Sequence, residues 1–337
     1  MGTKLHASTK SESLDTFLVH LITLFENAFP ERICSYYLGG STSDGTAVGH
    51  DRSSNSSDVD LFIIFRGTTT EAEEALFQYL IAECQASSPV QIDAHAYSED
   101  VLLQKLRPDA AQTSFLSALI QVAGVLVYGK DMRADLPPVQ FSHYVLDVIE
   151  SGVFHLSIPR QREGITYPLM TPLVFPLTYP DPAGEFYGYD TILARPGTPR
   201  GTRVLVALTT WIATFILSLE TGRYVGQKSQ SMRLCKEYLP HDKRVQLVVT
   251  IYDLCKDAWR YALPDSKEDR KQLRGLCRET LALENEYLRL TRDYIFSQLQ
   301  HGEVSEKRQA IRILQSVAYQ DDEMRAAVNS WQDLERA

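Results

Sequence analysis

Leu14, Phe17, Leu18, Leu21, Phe25 and Phe29 recur at helical spacing, so the chain opens with an amphipathic helix that Pro30 ends. The pattern then changes to short apolar runs rich in β-branched and aromatic residues. ICSYYL at Ile33–Leu38 and VDLFIIF at Val59–Phe65 each read as a strand. Helical periodicity returns from about Glu71 to Ala86, with Leu76, Leu80 and Ile81 inside, before Pro89 introduces a strand from Val90 to Tyr97. Ser98 can cap a helix from Glu99 to Leu106, which makes Glu99 and Asp100 first-turn partners of the helix dipole. A last strand lies in GVLVYGKDMR, Gly124–Arg133. This order predicts a small mixed sheet with helices on one side.

From about Ser157 to Arg200 the texture changes, because eight of the fifteen prolines lie there. Proline at that density forbids long helices and central strands. An extended, aromatic-rich connector is expected. Beyond Arg203 the helical period takes over at Val204–Glu220, Ser229–Leu239, Lys243–Tyr261, Ser266–Gln298 and Glu306–Glu335. Leu273, Leu276, Leu281, Leu288 and Ile295 give the longest of these an apolar stripe opposite a charged face, which predicts a bundle. The expected organisation is an α+β domain over 1–142, a connector over 143–202 and an all-α helical-bundle domain over 203–337.

A length of 337 residues fits two domains, and 44% apolar with 23% charged residues is an ordinary globular composition. A net charge of −9 argues against nonspecific nucleic-acid binding and favours cationic small molecules over polyanions. Cys34, Cys84, Cys235, Cys255 and Cys277 are odd in number and widely spaced, which is neither a disulfide framework nor a zinc pattern. The N-terminus lacks an apolar signal core, and Val204–Leu219, interrupted by three threonines, is shorter than the ~20 residues of a membrane span. A cytoplasmic location with no membrane partner is expected.

The chemistry concentrates between Leu38 and Phe65, in LGGSTSDGTAVGHDRSSNSSDVDLFIIF. Side chains two apart on a strand share a face, so Asp58 and Asp60 can meet one cation while Val59 and Leu61 pack behind them. Hard oxygen ligands favour Mg²⁺ or Mn²⁺. Gly39 and Gly40 permit close approach of backbone to a phosphate, with Ser41 and Ser43 as extra donors. On the strand VQIDAHAY, Asp93, His95 and Tyr97 share a face, which makes Asp93 the third carboxylate.

The Gly-Ser turn followed by Asp, apolar, Asp, apolar resembles the polymerase-β type nucleotidyltransferase motif, with an enlarged polar loop over Gly45–Ser57. LETGRYVGQKSQSMRLCKEYLP and IYDLCKDAWRYALPDSKEDR resemble the helical domain of streptomycin- and spectinomycin-class aminoglycoside adenylyltransferases. The resemblance implies an α+β N-terminal nucleotidyltransferase domain followed by a helical bundle, with two Mg²⁺ ions and ATP as co-substrate. Asp58 and Asp60 would hold metal, and Asp93 would complete the metal site or take the acceptor's proton, two roles that compete, with His95 as the alternative proton acceptor. Gly40, Ser41 and Ser57 would contact the nucleotide, together with Lys228 and Tyr261 from the bundle. An arginine that the family carries before Thr-Gly is absent here, with Thr214 nearby. The connector itself has two readings: Glu185 and Asp190 receive ammonium groups of a small hydroxylated acceptor while Tyr187 and Tyr189 stack on it, or the aromatics join the two domains. The implied activity is transfer of a nucleotide, AMP first, to an aminoglycoside-like antibiotic, as in resistance enzymes, with release of pyrophosphate. Transfer to a protein side chain and a noncatalytic nucleotide-binding module are the alternatives.

Overall fold

Cα proximity divides the chain into two units, the first comprising Met1–Gln140 with Tyr224–Ser231, the second Phe141–Arg223 with Met232–Ala337. The computed structural model describes residues 4–49, 57–88, 90–104, 113–161, 166–191 and 200–336, with side chains through 330. Most of the expected polar loop, residues 50–56, and the end of the helix expected to reach Leu106 lie outside the described residues. Among the described residues the protein is mixed α+β, with a four-stranded mixed sheet and twelve α-helices.

In the first unit, α1 (Glu12–Ala28) leads into β1 (Ile33–Leu38), a short α2 (Gly40–Asp44) and β2 (Val59–Phe65). Then follow α3 (Glu71–Ser87), β3 (Ile92–Ser98), α4 (Glu99–Leu102), α5 (Thr113–Val122) and β4 (Val125–Gly129). The sheet order is β3-β2-β1-β4, with β2 and β3 parallel and the other pairs antiparallel. Thr70 and Glu73 form a capping box that starts α3, each side chain accepting from the other residue's backbone N–H.

Strand alternation sends Val59, Leu61, Ile63 and Phe65 into a core with α1 and α3. Ile64 faces the other way, into a second core built with Leu102 of α4 and Leu116, Leu119 and Ile120 of α5, with Phe62 at its margin. Helices therefore cover both faces of the sheet, not one. Both layers are needed because β1 is buried along its whole length.

The second unit begins with a helix where the sequence reading has connector: α6 (Phe141–Ser157). Its pattern hides the helix because Asp147 and Glu150 are buried inside it. Their partners come from far along the chain: Gln309 Nε2 donates to Asp147 at 2.6 Å and Arg312 Nη2 donates to Glu150 at 2.5 Å. The remaining elements are β5 (Leu173–Phe175), α7 (Arg203–Thr221), α8 (Lys228–Tyr238), α9 (Lys243–Ile251), a π-helical turn (Tyr252–Ala258) and α10 (Lys267–His301). The chain ends with α11 (Val304–Ser316), β6 (Val317–Tyr319) and α12 (Asp322–Arg336). What periodicity reads as one terminal helix is thus broken by β6, which pairs with β5 of the connector.

Helix α7 is long and apolar enough to cross a membrane, yet most of it is buried in the protein. Its threonines are accommodated because Thr209, Thr210 and Thr214 each donate to the carbonyl four residues back at 2.8 Å. In α6, Gly152 allows the close approach of Tyr287, whose hydroxyl would lie 2.2 Å from any Cβ there and donates to Ile149 O at 3.1 Å.

Candidate metal and nucleotide site

Parallel pairing sets Asp60 of β2 in register with Asp93 of β3, on the same face of the sheet. Asp58 lies one residue ahead of β2. One carboxylate oxygen from each of the three can be chosen so that all lie within 4.8 Å of one another. Asp58 and Asp60 are half-buried and Asp93 is exposed, so the cluster opens to solvent.

The turn after β1 is fitted to this cluster. Gly39 N–H donates to Asp60 O at 3.0 Å, and Gly40 takes φ of +61°, where a Cβ would sit 1.7 Å from Asp60 Oδ2. Only glycine permits the carboxylate to lie there. Thr42 Oγ1 donates to Asp58 O at 3.0 Å, tying α2 to the residue that carries the first carboxylate. Ser43 Oγ donates to Gly40 O at 2.8 Å and accepts from Gln227 Nε2 at 2.6 Å. Gln227 also donates to Ala123 O at 3.0 Å, and Ser229 Oγ donates to the Asp44 carboxylate. The segment Tyr224–Ser231 thereby buttresses the Gly-Ser turn from more than 180 residues further along the sequence.

Three carboxylates this close repel unless a cation or protons intervene. Mg²⁺–oxygen bonds of ~2.1 Å put opposed ligand oxygens ~4 Å apart, so oxygens already within 4.8 Å suit one hard divalent ion. The all-oxygen donor set matches Mg²⁺ or Mn²⁺ and not a soft metal.

His95 stands beside the cluster. Its Nε2 lies 2.9 Å from Asp93 Oδ1, and its ring stacks on Phe62 with centroids 6.5 Å apart. The hydrogen bond to Asp93 holds the imidazole above its ordinary pKa, against the opposing pull of burial.

The other expected site residues are distributed more widely. Gly40 and Ser41 are at the turn. Ser57 is buried and clasps Val48 instead, accepting from Val48 N at 2.9 Å and donating its own N–H to Val48 O at 2.7 Å, so it shapes the loop base. Lys228, exposed at the start of α8, belongs to the first unit together with the turn. Tyr261 belongs to the second unit. It is buried at φ of +63°, where its N–H donates to Cys255 O at 2.7 Å and its carbonyl accepts from Thr202 N at 2.8 Å.

The four connector residues are engaged within the second unit. Tyr189 is fully buried and donates its hydroxyl to Glu284 at 2.8 Å, which corrects its expected role as an exposed stacking ring. Asp190 is buried and paired with Arg200 at 3.3 Å. Glu185 is bound by Arg270 and by Arg274, the latter at 3.1 Å, and Tyr187 stacks on Tyr179 with centroids 4.6 Å apart. Thr42, Gln227 and Ser229 escape a sequence reading because an isolated polar residue carries no signal of a partner many residues away.

Comparison of the sequence with models of known protein families gives no match, and comparison with curated proteins gives none either.

Proposed function

We propose that the protein is a metal-dependent nucleotidyltransferase, with the first unit as its nucleotidyltransferase domain and the helices of the second as its bundle domain. The convergence of Asp58, Asp60 and Asp93 beside Gly40 carries this reading. Asp58, Asp60 and Asp93 would hold Mg²⁺, which when bound neutralises charge on the transferring phosphoryl group and on the departing pyrophosphate. Gly39 and Gly40 let Phe62 and the Asp60 carboxylate close against the turn, and Lys228 pairs with the triphosphate as a point charge.

The acceptor hydroxyl attacks the α-phosphorus of a nucleoside triphosphate, ATP in the first instance. An O–P bond forms, the bond to the bridging α,β-oxygen breaks, and pyrophosphate leaves. The hydroxyl proton passes to Asp93, the most exposed of the three carboxylates. A phosphorus centre ringed by anionic oxygens repels its nucleophile, so most of the protein's contribution is positioning and charge compensation.

A pyrophosphate-release screen tests this, using ATP, GTP, CTP and UTP against hydroxylated small molecules, aminoglycosides included, and polypeptides. Release that requires both an acceptor and Mg²⁺ and is lost in Asp58→Asn supports the reading. Nucleotide binding with no release for any acceptor would reduce the protein to a nucleotide-binding module.

A further inference from the structure

The strand that carries Asp93 is an edge of the sheet, and its outer side is a row of backbone groups with no strand beside it among the described residues. Which groups face outward follows from two hydrogen bonds. Gln91 O accepts from Val59 N of β2 at 2.9 Å, whereas Ile92 N–H points the other way, to Gln85 Oε1 of α3 at 2.7 Å. Alternation then directs the N–H and C=O of Asp93, His95 and Tyr97 toward β2 and those of Ala94 and Ala96 outward. Gln85 already imitates an added strand at the start of this edge, since its Nε2 also donates to Val90 O at 3.1 Å. The opposite edge, β4, is treated differently: the N-terminal segment lies on it, with His6 N–H donating to Val127 O at 2.8 Å.

Beside the open stretch is a cavity of about 520 Å³ between β3 and the first half of α3, lined by His95, Ala96, Tyr97, Phe77 and the carboxylates Glu71 and Glu74. The acid in this wall lies on the α3 side of the sheet, the side to which Ala94 and Ala96 turn their methyl groups.

We propose that this edge receives an extended basic polypeptide as a fifth strand and that a Ser, Thr or Tyr hydroxyl on it is the acceptor. The proposal rests on the nucleotidyl-transfer reading and names its substrate class. An unpaired strand edge recognises extended backbone, which a small molecule does not offer. A residue of the added strand in register with Asp93 points to the face of the acidic cluster. In an antiparallel arrangement it occupies a non-hydrogen-bonded pair, with Cα atoms ~4.5 Å apart, which brings its hydroxyl beside the Asp93 carboxylate. The residues one and three positions away lie opposite Ala94 and Ala96, turn to the α3 side, and meet Glu71 and Glu74 there if they are Lys or Arg.

The test uses the full-length protein and a fluorescein-labelled peptide with a single serine and lysines one and three residues from it. Anisotropy reads binding without nucleotide, and transfer of label from α-labelled ATP reads chemistry. Ala94→Pro and Ala96→Pro remove outward N–H groups and keep the ladder to β2, while Ala96→Ser keeps the N–H as a control for packing. Binding at least roughly tenfold weaker in the proline variants, unchanged in Ala96→Ser, and weaker in Glu71→Lys with Glu74→Lys is expected, with Mn²⁺ affinity retained throughout. Peptide binding or labelling equal in the proline variants, or transfer only to small molecules, would overturn the edge and leave nucleotidyl transfer standing. No pyrophosphate release with any acceptor would overturn both.

Discussion

A side-chain carbon on residue 40 would lie 1.7 Å from Asp60 Oδ2, so Gly40 and Asp60 occupy one space that only hydrogen leaves open. Gly40→Ala must move either the turn or the carboxylate, and the positive φ adds backbone strain. A displacement of ~1 Å at a reacting centre costs on the order of 100-fold in rate. Turnover in Gly40→Ala should fall by at least that much while circular dichroism stays native, and near-native kinetics would show that Asp60 has no catalytic position to lose.

Asp58→Asn, Asp60→Asn and Asp93→Asn keep shape and remove charge. Each should weaken Mn²⁺ binding, read by electron paramagnetic resonance, by more than the ~10- to 100-fold that even outer-shell changes bring. Chelation with EDTA should abolish pyrophosphate release and added Mg²⁺ restore it.

Lys228 shares the first unit with the Gly-Ser turn. If its ammonium group grips the triphosphate in ground and transition states alike, Lys228→Ala raises KM for ATP about tenfold and leaves kcat nearly unchanged. A fall in kcat with KM constant would assign it to the transition state alone.

Glu284 is wholly buried and bound by Arg160, at 2.6 Å, and by Tyr189. Arg160→Met strands that carboxylate and should cost about 3–5 kcal/mol. Arg160→Met with Glu284→Leu should recover much of the loss. All three tryptophans lie in the second unit, so urea unfolding followed by tryptophan fluorescence reports this change directly.

Glu73 is held down to about 2 by its hydrogen bond from Arg32, at 2.6 Å, and by the Thr70 backbone. A carboxylate whose folded pKa is depressed stabilises the protein above its unfolded value, ordinarily about 4.5, and that contribution fades as pH falls through the folded one. The stability gap between wild type and Glu73→Gln, which keeps the capping hydrogen bond, should therefore be full at neutral pH and close between about pH 4.5 and pH 2. A gap constant across that window in urea titrations followed by far-ultraviolet circular dichroism would show that the charge on Glu73 contributes nothing.

Strands β1 and β2 and helices α1, α3 and α10 were legible because each exposes one face, or none, over a continuous stretch and so leaves a clean period in the sequence. The carboxylates at 58, 60 and 93 were legible for the same reason, since strand alternation and a glycine turn are local facts. Helix α6 was not, because Asp147 and Glu150 break its apolar pattern and their partners Gln309 and Arg312 lie far along the chain. Tyr189 and Asp190 read as recognition residues on composition alone, but both are buried and bonded to Glu284 and Arg200, partners that no local pattern announces. β6 was hidden by its brevity, as three residues cannot establish a period of two.

Because Tyr224–Ser231 folds with the first unit, the half that carries the acidic cluster is not a contiguous cassette. A gene fragment stopped after residue 140 would synthesise the sheet and the acidic cluster yet omit Gln227 and Ser229, the props beneath the turn. Any transplant of this module, by a breeder of chimaeras or by recombination, has to cut the chain in two places or rebuild that prop from new sequence.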